Sequence, residues 1–276
     1  MRSLWLRLPF LGLGERAWRP AAGVDARPTR APLLTLNLAL MKAIILAAGL
    51  GTRLRPLTST TPKCLVPING VPLLELWLRE CERAGVEGVL VNTHHLAGCV
   101  EEFVAARSGI PVTLAYEPTL LGSAGTIAAN WNFVDGDDSF LVVYADNLTT
   151  FPLSRLIAFH ATHDRIASMA LFRSPNPSAC GVVELDGSGL VTGFWEKPEN
   201  PPGNLVNAGL YVFRRQVRQY LPAEIPADVG RSLMPALVGQ AKGLPISEYF
   251  IDIGTLENYY SAQASYAAAC RAAEES

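Results

Sequence analysis

Residues 41–63 read MKAIILAAGLGTRLRPLTSTTPK: an apolar run, a glycine-rich turn that carries an arginine, and a lysine ten residues further on. The run at 43–46 has the composition of a buried strand. Ala47 and Ala48 keep the turn narrow, and Gly49 and Gly51 offer backbone torsions that other residues avoid. Such a turn can aim successive N–H groups inward as an anion nest, and Arg53 and Lys63 add full positive charges to those partial ones. A polyphosphate is the ligand this chemistry suits. A dinucleotide fingerprint would need a third glycine where Leu54 stands, and a nucleotide P-loop would need Gly-Lys-Ser/Thr, which does not follow.

The alternation continues downstream. Apolar periodicity predicts helices over 73–84, 96–106, 124–131 and 256–272, and strands over 88–92, 112–116 and 140–144. This is the rhythm of a parallel sheet covered on both faces, whose ligands sit at the carboxyl ends of the strands. Asp146 follows the central apolar strand. A carboxylate placed there is costly unless a charge meets it, and Mg²⁺ on nucleotide phosphates would be such a partner; a helix N-cap is the alternative.

The run from Leu46 to Thr58, followed by Pro62-Lys63-Cys64-Leu65-Val66-Pro67, resembles the signature of the sugar-1-phosphate nucleotidylyltransferases, roughly L-A-G-G-x-G-T-R-L-x-P-L-T then P-K-x-L-x-P. Ala48 stands where many members carry glycine. Further segments are similar to the same family: Glu117 to Gly125 resembles E-x-x-x-L-G-T-A-G with Ser123 for threonine, and Glu196-Lys197-Pro198 matches E-K-P. Asn207 to Tyr211 has the N-x-G-x-Y spacing, and 250–255 resembles W-x-D-x-G-T with Phe250 for the aromatic. Cys180, before Gly181, replaces a frequent aromatic, and Ala145 replaces the usual small residue before the aspartate. The resemblance extends from Met41 to about Thr255.

That resemblance implies a Rossmann-like three-layer α/β/α fold with a mainly parallel central sheet. It also implies an enzyme that takes a nucleoside triphosphate and a sugar 1-phosphate to a nucleotide-sugar and pyrophosphate. In this reading Ala47, Ala48, Gly49, Gly51, Thr52, Arg53, Glu117 and Gly122 bind nucleotide. Arg53 would hold the β- and γ-phosphates, and Lys63 the α-phosphate and the attacking phosphate. Asp146 and Asp252 would share one Mg²⁺, while Gly181, Glu196, Lys197 and Asn207 would bind the sugar phosphate. Gly122 and Gly125 would let backbone approach base and sugar, and the helix beginning at Ser123 would offer further N–H donors.

Glu117 with Leu-Gly-Ser-Ala-Gly looks most like the mannose-1-phosphate guanylyltransferase branch, so GTP and mannose 1-phosphate are the expected pair. Other hexose or heptose 1-phosphates with dTTP, UTP or CTP are the alternatives. An idle relative that binds nucleotide-sugar and regulates a partner would be expected to lose Arg53, Lys63 or an aspartate first, and all four residues are present. A generic dinucleotide-binding module would show NAD affinity without Mg²⁺ dependence.

Composition is compatible with one enzyme-sized domain: 276 residues, 49% hydrophobic, net charge −2. Neither nucleic acid nor an anionic membrane is expected as a partner. The five cysteines are widely spaced without a Cys-x-x-Cys pair, which reads as reduced, cytoplasmic thiols. Residues 1–40 contain six arginines and no lysine, and Arg7 and Pro9 interrupt their longest apolar stretch. They are expected to be a disordered extension or a start assigned too early, with one catalytic domain over 41–276. No hexapeptide repeat follows, so the β-helix of longer relatives is not expected, and any homo-oligomer would use the catalytic domain. His94-His95 are adjacent, and His160 and His163 share one predicted helix; structural or solvated roles are expected for both pairs rather than metal ligation.

Overall fold

The computed structural model describes residues 41–275, so the expectations for residues 1–40 lie outside the described residues. The first strand, β1 (Met41–Leu46), leads into the glycine-rich turn, three 3₁₀ turns (Thr52–Leu54, Leu57–Ser59, Lys63–Leu65) and a small hairpin of β2 (Pro67–Ile68) and β3 (Val71–Pro72). Then come α1 (Leu73–Arg83), β4 (Val86–Thr93), α2 (Ala97–Ala105), β5 (Val112–Tyr116), α3 (Ser123–Ala129), α4 (Trp131–Val134) and β6 (Ser139–Tyr144). The second half holds β7 (Asn147–Thr149), α5 (Leu153–Ala161), β8 (Ala167–Arg173), β9 (Gly181–Leu185), β10 (Val191–Glu196) and β11 (Leu205–Arg214). A π-helical turn, Val229–Leu233, runs into α6 (Met234–Ala236), and β12 (Ala241–Pro245), β13 (Phe250–Asp252) and α7 (Leu256–Glu274) complete the chain.

The central sheet has the order β10-β9-β11-β6-β1-β4-β5, with β8 and β12 attached beside β11. The block β6-β1-β4-β5 is parallel, as the helix–strand alternation predicts. Beyond it, β11 runs antiparallel to β6, β8 and β9, and β10 antiparallel to β9. The cause is local for β9–β10. Their connection is too short for a crossover, and the Asp186 carboxylate closes it by accepting from Ser188 N at 2.8 Å and Leu190 N at 3.0 Å.

The inner strands are apolar throughout because successive residues face two different cores. Ile45, Val91 and Val143 pack with Trp77, Leu78 and Phe151 on one side, and Ile44, Leu90 and Val142 with Ile127, Trp131 and Leu233 on the other. Helix α1 buries Leu73, Leu74, Trp77, Leu78 and Cys81, a stripe at helical spacing, and each buried leucine contributes about 1.5–3 kcal/mol. The helix predicted over 124–131 is divided at Asn130, whose side-chain Nδ2 donates to the Thr126 carbonyl at 2.9 Å and competes with the helical ladder.

His160 and His163 do not share a helix, since α5 ends at Ala161. They converge instead on Ser168, whose Oγ lies 2.8 Å from His160 Nδ1 and 2.9 Å from His163 Nε2. Burial pushes both rings down, His160 to about 3 and His163 to about 4, so both are neutral structural groups. All five cysteines are free, and burial pushes the Cys64 and Cys81 thiols up to about 12. Among the described residues no helix is long and apolar enough to cross a membrane.

Outside the main sheet, β7 and β13 form an antiparallel ribbon with Asn147 opposite Asp252 and Leu148 opposite Ile251. This ribbon is separated by two residues from the end of β6, at the carboxyl edge of the parallel block. It carries the last segment of the chain back to the turn that follows β1.

Candidate active site

The turns after β1 and β6 are tied together where Ala145 N donates to the Leu46 carbonyl at 3.0 Å. Within the glycine-rich turn, Ala47 N is taken by Asn92 Oδ1 at 2.6 Å. The next four amides, of Ala48, Gly49, Leu50 and Gly51, have no hydrogen-bond partner among the described residues. They form the open donor set that an anion nest requires. The two glycines expected to need unusual torsions differ. Gly51 has φ 63°, its carbonyl accepts from Thr58 Oγ1 at 2.7 Å, and a Cβ there would lie 2.8 Å from Thr58 Cγ2. Gly49 lies outside the left-handed region and would have nothing within 4 Å of a Cβ; it faces open space.

A cavity of about 230 Å³ opens beside this turn. Of the residues singled out from the sequence, Ala47, Ala48, Gly49, Lys63, Glu117, Gly122 and Asp146 line it. Gly51, Thr52 and Arg53 stand at its margin, with the Arg53 guanidinium exposed and directed to the segment holding Asp252 and Gly254.

Lys63 donates to Asp146 Oδ2 at 2.5 Å, its side chain 11% exposed against 33% for the aspartate. Asp252 arrives from β13, held in place as Ile253 N donates to the Asp146 carbonyl at 2.8 Å. Surrounding protein raises the Asp252 carboxyl, and the Asp146 charge raises it further, while Lys63, Arg53 and Lys197 oppose the shift. The two aspartates and three cations predicted from separate motifs therefore share one electrostatic environment. Two carboxylates in proximity are an oxygen donor set suited to a hard divalent cation, which would take its remaining ligands from phosphate and water. Among the described residues no group of three or more histidine, cysteine or acidic side chains offers a rival site.

Glu117 does more than line the cavity. It is buried, its Oε1 accepts from Asn92 Nδ2 at 2.8 Å and Thr126 Oγ1 at 2.5 Å, and its Oε2 accepts from Leu121 N at 3.1 Å. The carboxylate thus braces the ends of β4 and β5 against α3 and the loop before it. Two of the amides at the start of α3 are not the free donors expected. Ala124 N and Gly125 N donate to the Ala227 carbonyl at 2.8 and 3.1 Å, because residues 221–229 lie along that helix end. Gly125 likewise makes room for Ile225 and Leu121 rather than leaving open space.

On the second face of the cleft, Gly181 pairs with Glu196 across β9 and β10, and the Glu196 carboxylate rests where Cβ atoms of Gly181 and Gly230 would stand. Burial raises Glu196, against Lys197 and Arg231. Lys197 has φ 50°, its N donates to the Cys180 carbonyl at 2.9 Å, and its Nζ lies 3.8 Å from Glu196. Asn207 sits at the bulge of β11, where its Nδ2 donates to the Tyr211 hydroxyl and its Oδ1 accepts from Gly209 N at 2.9 Å. Both ends of that amide already have protein partners.

Sequence reasoning gave no role to Asn92, Thr126 and Tyr144, which line the cavity together with Ser123. Asn92 had a signal: it is the polar residue closing the apolar run Val89-Leu90-Val91, at a strand end.

A family model described as Nucleotidyl transferase matches residues 42–269. The chain is 32% identical over 233 residues to a mannose-1-phosphate guanylyltransferase catalytic subunit beta of Danio rerio, covering 82% of this chain and 64% of that protein. It is 33% identical over 243 residues to a UTP–glucose-1-phosphate uridylyltransferase of Synechocystis sp., covering 80% of this chain and 62% of the relative. Among solved structures, HddC from Yersinia pseudotuberculosis complexed with GMP-PN has the same fold, with TM-score 0.68 at 24% identity over 82% of this chain and 100% of that one. The chain spans less than two thirds of the length of the two curated relatives. With a match running from the first strand into the last helix, it belongs to the nucleotidyl transferase family.

Proposed function

We propose that this chain transfers a nucleoside monophosphate from a nucleoside triphosphate to a sugar 1-phosphate, releasing pyrophosphate. The observation that carries this reading is the set of unpartnered amides from Ala48 to Gly51, in a turn whose Ala48 and Gly49 line one cavity with Lys63 and Asp146. The amides cradle the phosphate chain, and Arg53, exposed at the margin, neutralises the β- and γ-phosphates as pyrophosphate departs. Lys63 neutralises the α-phosphate and the incoming sugar phosphate. Glu196 accepts hydrogen bonds from sugar hydroxyls and Lys197 meets the sugar phosphate. No protein nucleophile is needed, since the sugar phosphate is already an anion, and positioning with charge neutralisation supplies the rate enhancement. Asp146 and Asp252 would hold Mg²⁺, which when bound supplies charge neutralisation between the two substrates.

GTP and mannose 1-phosphate are the pair we favour, on the spelling of the Glu117 to Gly125 segment and the Danio rerio relative. The uridylyltransferase relative makes UTP with glucose 1-phosphate the competing pair. The purified full chain is incubated with Mg²⁺, either mannose or glucose 1-phosphate, and each of GTP, dTTP, UTP, CTP and ATP, and pyrophosphate release is measured. The reading expects release with GTP and mannose 1-phosphate above all other pairs. Release only with UTP and glucose 1-phosphate overturns the choice of pair; no release with any overturns the activity for these sugars.

A further inference from the structure

We infer that Ser123 is a positioning residue that ties the nucleotide cavity to the seat of Glu196; this rests on the nucleotidyl-transfer reading above. Its hydroxyl joins three parts of the fold. Ser123 Oγ accepts from Val229 N at 2.8 Å and from the Tyr144 hydroxyl at 3.1 Å, and donates to Asp228 Oδ1 at 3.4 Å. Ser123 forms part of the cavity wall, and Tyr144 ends the strand that delivers Asp146 two residues later. Val229 is completely buried and is followed by Gly230, whose backbone is the surface on which the Glu196 carboxylate rests: a Cβ at Gly230 would lie 2.4 Å from Glu196 Oε2.

Residues 227–230 therefore form a strap between the two halves of the cleft, pinned at one end and latched at the other. The pin is backbone: the Ala227 carbonyl accepts from Ala124 N and Gly125 N, and Ala227 N donates to the Leu121 carbonyl at 2.9 Å. No side-chain change removes it. The latch is the single hydroxyl of Ser123, and with it gone the buried Val229 N–H loses its only acceptor among the described residues. A buried donor without a partner is driven to seek another, so the strap shifts beyond Ala227 and the seat of Glu196 shifts with it. The carboxylate that meets the sugar then stands out of place, while the amides of the glycine-rich turn, on another element, keep theirs.

The test compares Ser123→Ala, Ser123→Thr and Glu196→Gln by KM for each substrate and by hydrogen exchange of the Val229 amide. Ser123→Ala is expected to raise KM for the sugar 1-phosphate about five-fold, the scale of one neutral hydrogen bond, and to raise it more than KM for the nucleoside triphosphate. Ser123→Thr, which retains the hydroxyl, restores both values. In the Glu196→Gln background the alanine change adds little to the sugar KM. Exchange at Val229 is fast in the alanine variant and slow in wild type and threonine variant. Equal increases in both KM values, or full additivity with Glu196→Gln, overturn the inference. Slow exchange in Ser123→Ala overturns it without any substrate, so a failure of the latch is distinguishable from a failure of the proposed activity.

Discussion

Replacing Lys63 by methionine removes the ammonium and keeps most of the stem that packs beneath it. The charge sits 2.5 Å from Asp146 Oδ2, with the lysine side chain 11% exposed and the aspartate 33% exposed. Two unit charges at that contact attract by about 7 kcal/mol at an effective dielectric of about 20, an upper value. Solvent at the aspartate and the desolvation of the lysine both reduce it, so a coupling of about 1–2 kcal/mol is expected. The assay is a double-mutant cycle by urea unfolding, with Lys63→Met, Asp146→Asn and the pair together. The single changes are each expected to destabilise, and the double change by less than their sum. Turnover supplies the second readout: kcat/KM of Lys63→Met should fall at least about 30-fold, equivalent to about 2 kcal/mol of lost transition-state stabilisation. Additive unfolding energies would mean that the ion pair contributes nothing to the fold, and near-normal turnover would remove Lys63 from the chemistry.

The remaining expectations concern other parts of the same molecule. Arg53→Ala should leave the urea midpoint within error, since the side chain is exposed, yet lower kcat/KM by at least about 30-fold; normal turnover would exclude the guanidinium from phosphate binding. Gly122→Ala should destabilise by at least about 2 kcal/mol, because Gly122 has φ 75° and ψ 161° and its new Cβ would press 2.4 Å from the Ala227 carbonyl oxygen. Gly49→Ala, with nothing within 4 Å, should leave unfolding almost unchanged, and equal costs at the two sites would defeat this account. His160 is held neutral in the fold, to about 3 against an ordinary 6.5, so the unfolded chain binds the proton first. Its contribution is therefore complete above pH 6.5 and lost as pH falls towards 3. Urea midpoints should decline across that window in the wild type and more gently in His160→Asn; parallel curves would show that His160 is not the titrating group.

What the sequence makes legible is local. β5 is found with its predicted limits, and β1, β4 and β6 within two residues, because each is a short apolar run bounded by turn residues. The glycine-rich turn is equally local, and its open amides follow from its spelling. What stays hidden depends on distant partners. Nothing near Ser123 in the sequence reveals that the segment around Ala227 will cover the start of α3, so the Ala124 and Gly125 amides look free until the fold is known. Glu117 looks like a ligand contact from its motif, and only the positions of Asn92 and Thr126 show that it is a brace as well. The antiparallel half of the sheet is invisible to helix–strand periodicity, which reports alternation and says nothing about strand direction.

The ribbon of β7 and β13 has a further meaning for how the protein is made. Asn147 and Asp252 face each other across about a hundred residues of chain, so the pocket's first wall leaves the ribosome long before its second carboxylate. Through most of synthesis the emerging chain can carry β1, β4 and β6 without Asp252, and so without the two-carboxylate pair. Only when the ribbon zips, with α7 following directly behind it, is the pair complete. A chain cut short before that point would keep most of its sheet strands and still lack half of its charge centre.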